Sequence, residues 1–142
     1  LLAAGVEIPV QGTIVATIAD KDKEEAVPIL KEFASMGFKL LATEGTATAL
    51  EDAGVKVERV NKFKEGHPNI VDLIREGQVD FVVNTLTHGR KPFSDGFHIR
   101  RAAVELNVPC LTSLDTLKVM QEVIREGERN ITVESLQEYL AE

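Results

Sequence analysis

The protein has 142 residues, and its 16 lysines and arginines against 23 aspartates and glutamates give a net charge of −7. Because non-specific nucleic-acid binding needs a basic surface, this balance argues against a nucleic-acid partner. The single cysteine excludes an intrachain disulfide and a cysteine-rich zinc site, and no apolar run reaches the ~20 residues that a membrane span requires. We therefore expect one cytosolic domain that binds no metal, contacts no membrane and binds no nucleic acid.

Two kinds of segment alternate along the chain. Short apolar runs predict five strands, at residues 13–19, 38–42, 55–60, 80–85 and 108–112. Amphipathic patterns predict helices at 26–36, 46–53, 69–76, 94–106 and 113–127, with a last helix at 133–139. This alternation indicates βαβ units, so we expect a three-layer α/β/α fold with a five-stranded, mainly parallel sheet.

Two further expectations concern the ends of the chain and the faces of the helices. Residues 1–11 are interpreted as the end of a linker from a preceding domain, and residues 12–142 as the domain itself.

Arg100 and Arg101 are interpreted as a solvated helix face, although a partner surface or an anion could also contact them. Ser113 stands at a cap position. The spacing in the fourth helix predicts an inward face formed by Ile99, Ala102, Ala103 and Leu106.

The predicted strand ends carry groups that suit an anion. In an open parallel sheet, ligands bind beyond the carboxyl ends of the strands. The turn at residues 43–46, Thr-Glu-Gly-Thr, leaves the second strand and opens a helix, where the glycine permits close approach and the helix dipole favours an anion. Lys23 and Lys62 can supply charge, and Asn84 and Thr85 end the fourth strand. The pattern predicts a phosphate site, although each of these groups also has an ordinary local role.

Acid–base chemistry has weaker support in the sequence. Asp22 fits the N-cap of a helix at least as well as a catalytic role. His88 and His98 have no carboxylate or nucleophile at a fixed spacing. Cys110 lies in the middle of a predicted strand and is interpreted as an inert core thiol. We therefore predict no catalytic residues and no metal ligands.

Several of these motifs occur in the same order in one known family. The stretches concerned are residues 18–23, 42–47, 60–70, 83–85 and 95–103. They include an Asn-Lys-x₃-Gly-x-Pro segment, an Asn-Thr strand end and an Ile-Arg-Arg helix. On these motifs, the chain from about residue 12 onward closely resembles the C-terminal allosteric domain of the carbamoyl-phosphate synthase large subunit, which has the methylglyoxal-synthase-like fold.

The resemblance implies a regulatory domain that binds nucleotide effectors. In the family UMP inhibits, and IMP or PRPP activates, the synthesis of carbamoyl phosphate for pyrimidines and arginine. Ile70 would lie beside the effector base and Arg90 and Asp95 near the ribose or base, with Thr87 as a substitute ligand. The phosphate-binding positions, with the glycine of their turn, would be Lys23, Thr43, Gly45, Thr46, Lys62, Asn84 and Thr85.

The resemblance also implies a larger enzyme around this domain. The parent chain would be a cytoplasmic ATP-dependent ligase, with ATP and Mg²⁺ or Mn²⁺ bound outside this domain, which itself would need no cofactor. Its partners would be the remaining domains of the large subunit, a glutaminase small subunit and small-molecule effectors. A homo-oligomer is left open.

Two alternatives remain beside this interpretation. Methylglyoxal synthase shares the fold but eliminates phosphate from dihydroxyacetone phosphate, which requires a carboxylate base after the fourth strand and a nearby histidine. Residues 84–89, Asn-Thr-Leu-Thr-His-Gly, contain no carboxylate, so an effector-binding domain is favoured. A pure interaction module, the second alternative, would not need clustered phosphate ligands.

Overall fold

The computed structural model describes residues 12–62, 66–85 and 95–126 of the chain. Strands and helices alternate along it, and a 3-10 turn at Asp20–Asp22 precedes the first helix. The strands are β1 (Thr13–Thr17), β2 (Lys39–Ala42), β3 (Glu58–Arg59), β4 (Phe81–Asn84) and β5 (Cys110–Leu111). The helices are α1 (Lys23–Ser35), α2 (Glu44–Asp52), α3 (Ile70–Arg75), α4 (Asp95–Glu105) and α5 (Leu114–Arg125).

The five strands form one sheet in the order β3-β2-β1-β4-β5, and every neighbouring pair is parallel. The predicted α/β fold with a five-stranded parallel sheet is therefore confirmed. The chain builds one half of the sheet from β1 outward and then crosses to build the other half. The order of the strands thus reverses between β1 and β4, which is where open parallel sheets bind ligands.

Each face of the sheet has its own apolar layer. One layer packs the sheet against α1, α2 and α5 and includes Phe33, Phe38 and Phe81, whose ring centroids lie 5.2–5.9 Å apart in edge-to-face pairs. The other layer packs the sheet against α3 and α4 and includes Val15 and Val82. Because the central strands are buried on both faces, they read as continuous apolar runs in the sequence.

Among α5, α1 and α2, only α5 begins with a side-chain cap. Ser113 caps α5 as predicted, and its Oγ accepts hydrogen bonds from the backbone N–H groups of Asp115 at 3.2 Å and Thr116 at 3.5 Å. Asp22 takes the N-cap position of α1, but its carboxylate pairs with Lys21 at 2.9 Å instead of capping the helix. Helix α2 begins at Glu44, two residues earlier than its apolar pattern indicates, because its first two residues, Glu44 and Gly45, are exposed.

Two predictions about individual segments need correction. The third strand has only two residues instead of six, because it lies at the edge of the sheet and pairs with β2 alone. Leu106 does not face inward but is 42% exposed, because α4 ends at Glu105 and the chain then turns through Asn107, which has a φ of 56°. The predicted linker at 1–11 and last helix at 133–139 lie outside the described residues. None of the described helices is both long and apolar enough to cross a membrane.

Candidate functional site

Three polar side chains form a row where the central strands end. Thr17 pairs with Asn84 in the register of β1 and β4. The register of β1 and β2 ends with Ala16 beside Ala42, so the next residue, Thr43, follows beside Thr17. Side chains alternate along a strand, and all three residues therefore share the face that is covered by α3 and α4. This row is the polar floor of the candidate site, and we call it the strand-end row.

Two buried hydroxyls close the carboxyl end of β1 from either side. The Thr46 Oγ1 accepts a hydrogen bond from the backbone N–H of Ile18 at 3.0 Å, and the Thr85 Oγ1 accepts one from Ala19 at 2.7 Å. Both threonines were predicted as phosphate ligands. Here each hydroxyl already serves as an acceptor, which leaves its own proton for donation to an anion.

Thr43 differs from its neighbours because its hydroxyl has no hydrogen-bond partner within the described ranges. The residue is only 6% exposed, and it takes the N-cap position of α2 without making the usual side-chain cap. The N–H groups of the first turn of α2 lack intrahelical acceptors, as in any helix. A buried hydroxyl without a partner costs free energy, so this corner of the site is suited to a hydrogen-bonding ligand.

Lys23 lies against this same turn. Its Nζ is 3.2 Å from the point where a Cβ atom on Gly45 would stand, which places an ammonium at the start of α2. Lys23 also forms an ion pair with the exposed carboxylate of Asp20. That hydrogen bond, the charge of Lys23 and, less strongly, the charge of Lys62 lower the pKa of Asp20. Lys23 and Lys62 therefore act on the same carboxylate at this rim of the sheet.

Arg100 is a site residue that the sequence analysis missed. It is half-buried on α4, and its Nη1 donates a hydrogen bond to the Oδ1 of Asn84 at 2.9 Å, while the Nδ2 of Asn84 donates to the Thr17 Oγ1 at 2.6 Å. The prediction of a solvated face is thus wrong for Arg100 and holds for exposed Arg101, which pairs with Glu105 at 3.1 Å. The available signal was Gly96, four residues earlier on the same helix face.

A second polar cluster lies at the start of α3. The carboxylate of Asp72 contacts the Nδ1 of His67 at 2.6 Å and accepts a hydrogen bond from the backbone N–H of Asn69 at 2.9 Å. Asn61 donates to the carbonyl of Pro68 at 3.0 Å. The hydrogen bond with His67, together with that from Asn69, lowers the pKa of Asp72. This network ties Asn61 and residues 67–69 to the start of α3.

The remaining predicted site residues are less informative. Ile70, the first residue of α3, is completely buried in the apolar layer on this face of the sheet, and its expected contact with an effector base stays a prediction. Asp95 begins α4, whereas Thr87 and Arg90 lie outside the described residues. Burial raises the pKa of Cys110 to about 11, in keeping with an unreactive thiol. In the described part of the chain, no group of three histidine, cysteine or acidic residues is placed to hold a metal ion.

Comparison with known proteins finds a matching family model and similar solved structures. A family model described as the MGS-like domain matches residues 25–112, which include Thr43, Asn84 and Arg100 but neither Thr17 nor Lys23. A methylglyoxal synthase from Elizabethkingia anophelis NUHP1 is 25% identical, with a TM-score of 0.66 over 80% of this chain and 79% of that chain. The structure of ForH is 21% identical, with a TM-score of 0.59 over 82% of this chain and 81% of that chain, which is a similarity of fold.

Proposed function

The chain belongs to the MGS-like domain family, and from that membership we propose that it is an allosteric domain that binds a phosphorylated effector. The effector would be a nucleotide or sugar phosphate of the class of UMP, IMP or PRPP. Its phosphate would sit over the turn between β2 and α2. The output would be the regulation of a carbamoyl-phosphate synthase large chain, through the remaining domains of that chain.

One observation carries the binding proposal. The buried Thr43 hydroxyl has no hydrogen-bond partner among the described residues, at the point where the ammonium of Lys23 lies against Gly45 and where α2 begins. A phosphate would satisfy all three features at once. Its oxygens would accept from the hydroxyl and from the first N–H groups of α2, and its charge would be met by the lysine and the helix dipole.

The surrounding chemistry supports binding more than catalysis. A base that removes a proton from carbon works best when its pKa lies near the working pH. The pKa values of Asp20 and Asp72, two carboxylates near the segments that follow β1 and β3, are both lowered by their hydrogen-bond partners. These two carboxylates are therefore held in the charged form and are weakened as bases.

A methylglyoxal-synthase-like lyase is the second candidate function. The structural similarity to the methylglyoxal synthase, over four-fifths of each chain, favours it. Both candidates would use the same phosphate corner, so that phosphate binding alone does not separate them. They differ in whether bound dihydroxyacetone phosphate is converted to methylglyoxal and free phosphate.

The test has two arms that use the 142-residue chain. In the first arm, the protein is incubated with dihydroxyacetone phosphate and methylglyoxal is measured; its formation would replace the regulatory proposal with the lyase. In the second arm, UMP, IMP and PRPP are titrated by calorimetry, and we expect at least one to bind. If none of them binds and no methylglyoxal forms, an interaction module becomes the better interpretation.

The proposal extends to the setting of the domain. The parent enzyme would be a cytoplasmic ligase that binds ATP and Mg²⁺ or Mn²⁺ in its other domains and receives ammonia from a glutaminase small subunit. Because a ligand can shift an equilibrium only by its differential affinity for two states, the effector would regulate the parent chain and have no output in this domain alone. Effector titration of the intact enzyme would measure that coupling.

A further inference from the structure

We propose that Arg100 is a positioning residue that turns the Asn84 carboxamide so that the site selects anionic over neutral ligands. The inference rests on the proposed phosphate site and names the residue that makes this site selective for anions. Asn84 stands in the strand-end row beside Thr17, and its carbonyl oxygen accepts from Arg100 while its Nδ2 donates to Thr17. A single arginine therefore orients the amide at the centre of the site.

The orientation follows from the chemistry of the two side chains. An arginine guanidinium carries donors only, whereas a carboxamide has a donor end and an acceptor end of nearly the same shape. Beside Arg100, Asn84 must turn its oxygen toward the guanidinium, and its two N–H groups then face the row. One N–H is used by Thr17 at 2.6 Å, and the second has no acceptor among the described residues.

The consequence is a row that offers donors to a ligand. Without the guanidinium, the Asn84 amide could rotate by half a turn and present its oxygen, which would repel a phosphate oxygen and accept from a ligand hydroxyl instead. Because Asn84 is 5% exposed, water does not compensate for the wrong orientation. The charge of Arg100 also stands on the β4 side of the row, whereas that of Lys23 stands on the β2 side.

Gly96 provides the space for this arrangement. A Cβ atom at residue 96 would lie 2.8 Å from the Nη1 of Arg100 and 3.4 Å from the Oδ1 of Asn84. Substitution by alanine would therefore displace the guanidinium while every charge is kept. Gly96 lies in α4 and alanine is the better helix former, so no loss of helix stability is expected from Gly96→Ala.

The experiment compares Arg100→Met, Arg100→Lys and Gly96→Ala with Arg101→Met as the matched control. Arg101 neighbours Arg100 on α4 but pairs with Glu105 on the exposed side of the helix. UMP and uridine are titrated by calorimetry, and the side-chain amide signals of Asn84 are followed by NMR without ligand. Arg100→Met and Gly96→Ala should weaken UMP binding by about tenfold and shift the Asn84 signals. Arg101→Met should do neither, and Arg100→Lys, which keeps a charged donor, should retain most of the affinity.

The outcomes separate this inference from the function on which it rests. If the wild type binds UMP and Arg100→Met binds it as tightly as Arg101→Met, the positioning role is wrong and the phosphate site stands. An equal loss of UMP and uridine affinity would likewise overturn the claim of selectivity. If the wild type binds none of UMP, IMP, PRPP and inorganic phosphate, both proposals fall. Should Arg100→Met fail to fold, Gly96→Ala provides the same test.

Discussion

The ammonium of Lys23 lies 3.2 Å from the point where a Cβ atom on residue 45 would stand, so that the absence of a side chain at Gly45 is what admits the charge to the start of α2. Lys23 begins α1, which follows the central strand, and Gly45 follows the neighbouring strand. The two residues therefore join the ends of β1 and β2 at the proposed phosphate corner, and the contact is open to a direct test.

Gly45→Ala is expected to weaken phosphate binding without unfolding the protein. The new methyl group would push the Lys23 ammonium away, whereas alanine in a helix is favoured over glycine by up to about 1 kcal/mol. Thermal unfolding together with calorimetric titration of UMP measures both effects. Lys21→Ala is the matched control because that neighbouring ammonium pairs with Asp22. Unchanged UMP affinity in Gly45→Ala would remove Lys23 from the site.

Lys62→Ala is expected to weaken UMP binding by roughly 1.5–3 kcal/mol, the range for a hydrogen bond to a charged group. The charge of Lys62 already contributes to the lowered pKa of Asp20, which places it in reach of the same rim. Exposed Lys56, on the segment that leads into β3, is the matched control. Equal UMP affinities of the two variants would show that the phosphate lies elsewhere.

Asp20→Asn is expected to strengthen phosphate binding a few-fold. The carboxylate of Asp20 pairs with Lys23 and competes with a phosphate for the same ammonium, and the substitution removes that competition. Calorimetry with inorganic phosphate measures the change at low salt, where the electrostatic effect is largest. Asp22→Asn removes a carboxylate two residues away that pairs with Lys21, and it should leave the affinity as it was. A weaker affinity in Asp20→Asn would contradict the competition.

Thr46→Val is expected to destabilise the fold by about 1–3 kcal/mol. Valine keeps the shape of the side chain but leaves the buried N–H of Ile18 without its acceptor. Urea unfolding measures the loss. Thr48→Val, on the exposed face of the same helix, removes only a solvent-exposed hydroxyl that accepts a hydrogen bond from Arg59 at 2.9 Å, and it should change stability by no more than about 0.5 kcal/mol. Equal stabilities of the two variants would mean that the Thr46 hydroxyl contributes nothing to closing the end of β1.

Asp72 is expected to stabilise the fold in a pH-dependent way. Its pKa in the folded protein is lowered below the usual 3.8 by the hydrogen bonds from His67 and the Asn69 backbone. A lowered folded pKa contributes stability that is present above the unfolded pKa and is lost as the pH falls through the folded pKa. Wild type and Asp72→Asn should thus differ in unfolding free energy at about pH 6 and converge toward about pH 2. A difference that persists unchanged at acid pH would contradict this assignment.

The periodicity of the sequence was sufficient to predict the elements of the fold. Apolar runs and helical stripes mark buried faces, and those faces are what the sheet and its two helical layers use. The ends of the helices were harder to predict, because the first residues of α2 and the last residues of α4 are exposed and do not follow the apolar spacing of the buried face. Leu106 shows the difficulty: it continues the apolar spacing of α4, yet the helix stops one residue earlier.

The candidate site was predictable where its residues follow strands and unpredictable where they come from a helix. Parallel strands bring their carboxyl ends to one edge, so the sequence alone predicts that Thr43 and Asn84 lie at the same edge of the sheet. Arg100 and Arg101 are adjacent and chemically identical in sequence. Only the rotation of α4 about its axis, set by the packing of Ile99 beneath it, decides which arginine reaches Asn84.

The aromatic trio and the strand-end row belong to opposite faces of the same sheet. Phe33, Phe38 and Phe81 hold the sheet to α1 from one side, while the polar row opens toward α4 on the other. The side chains that hold the sheet to its helices are therefore different from those proposed to bind the ligand, even though the same strand, β4, contributes to both sets. Residues of the strand-end row can therefore change during evolution without disturbing the packing of the aromatic trio. This separation agrees with a fold that is shared by two chains of only 25% identity.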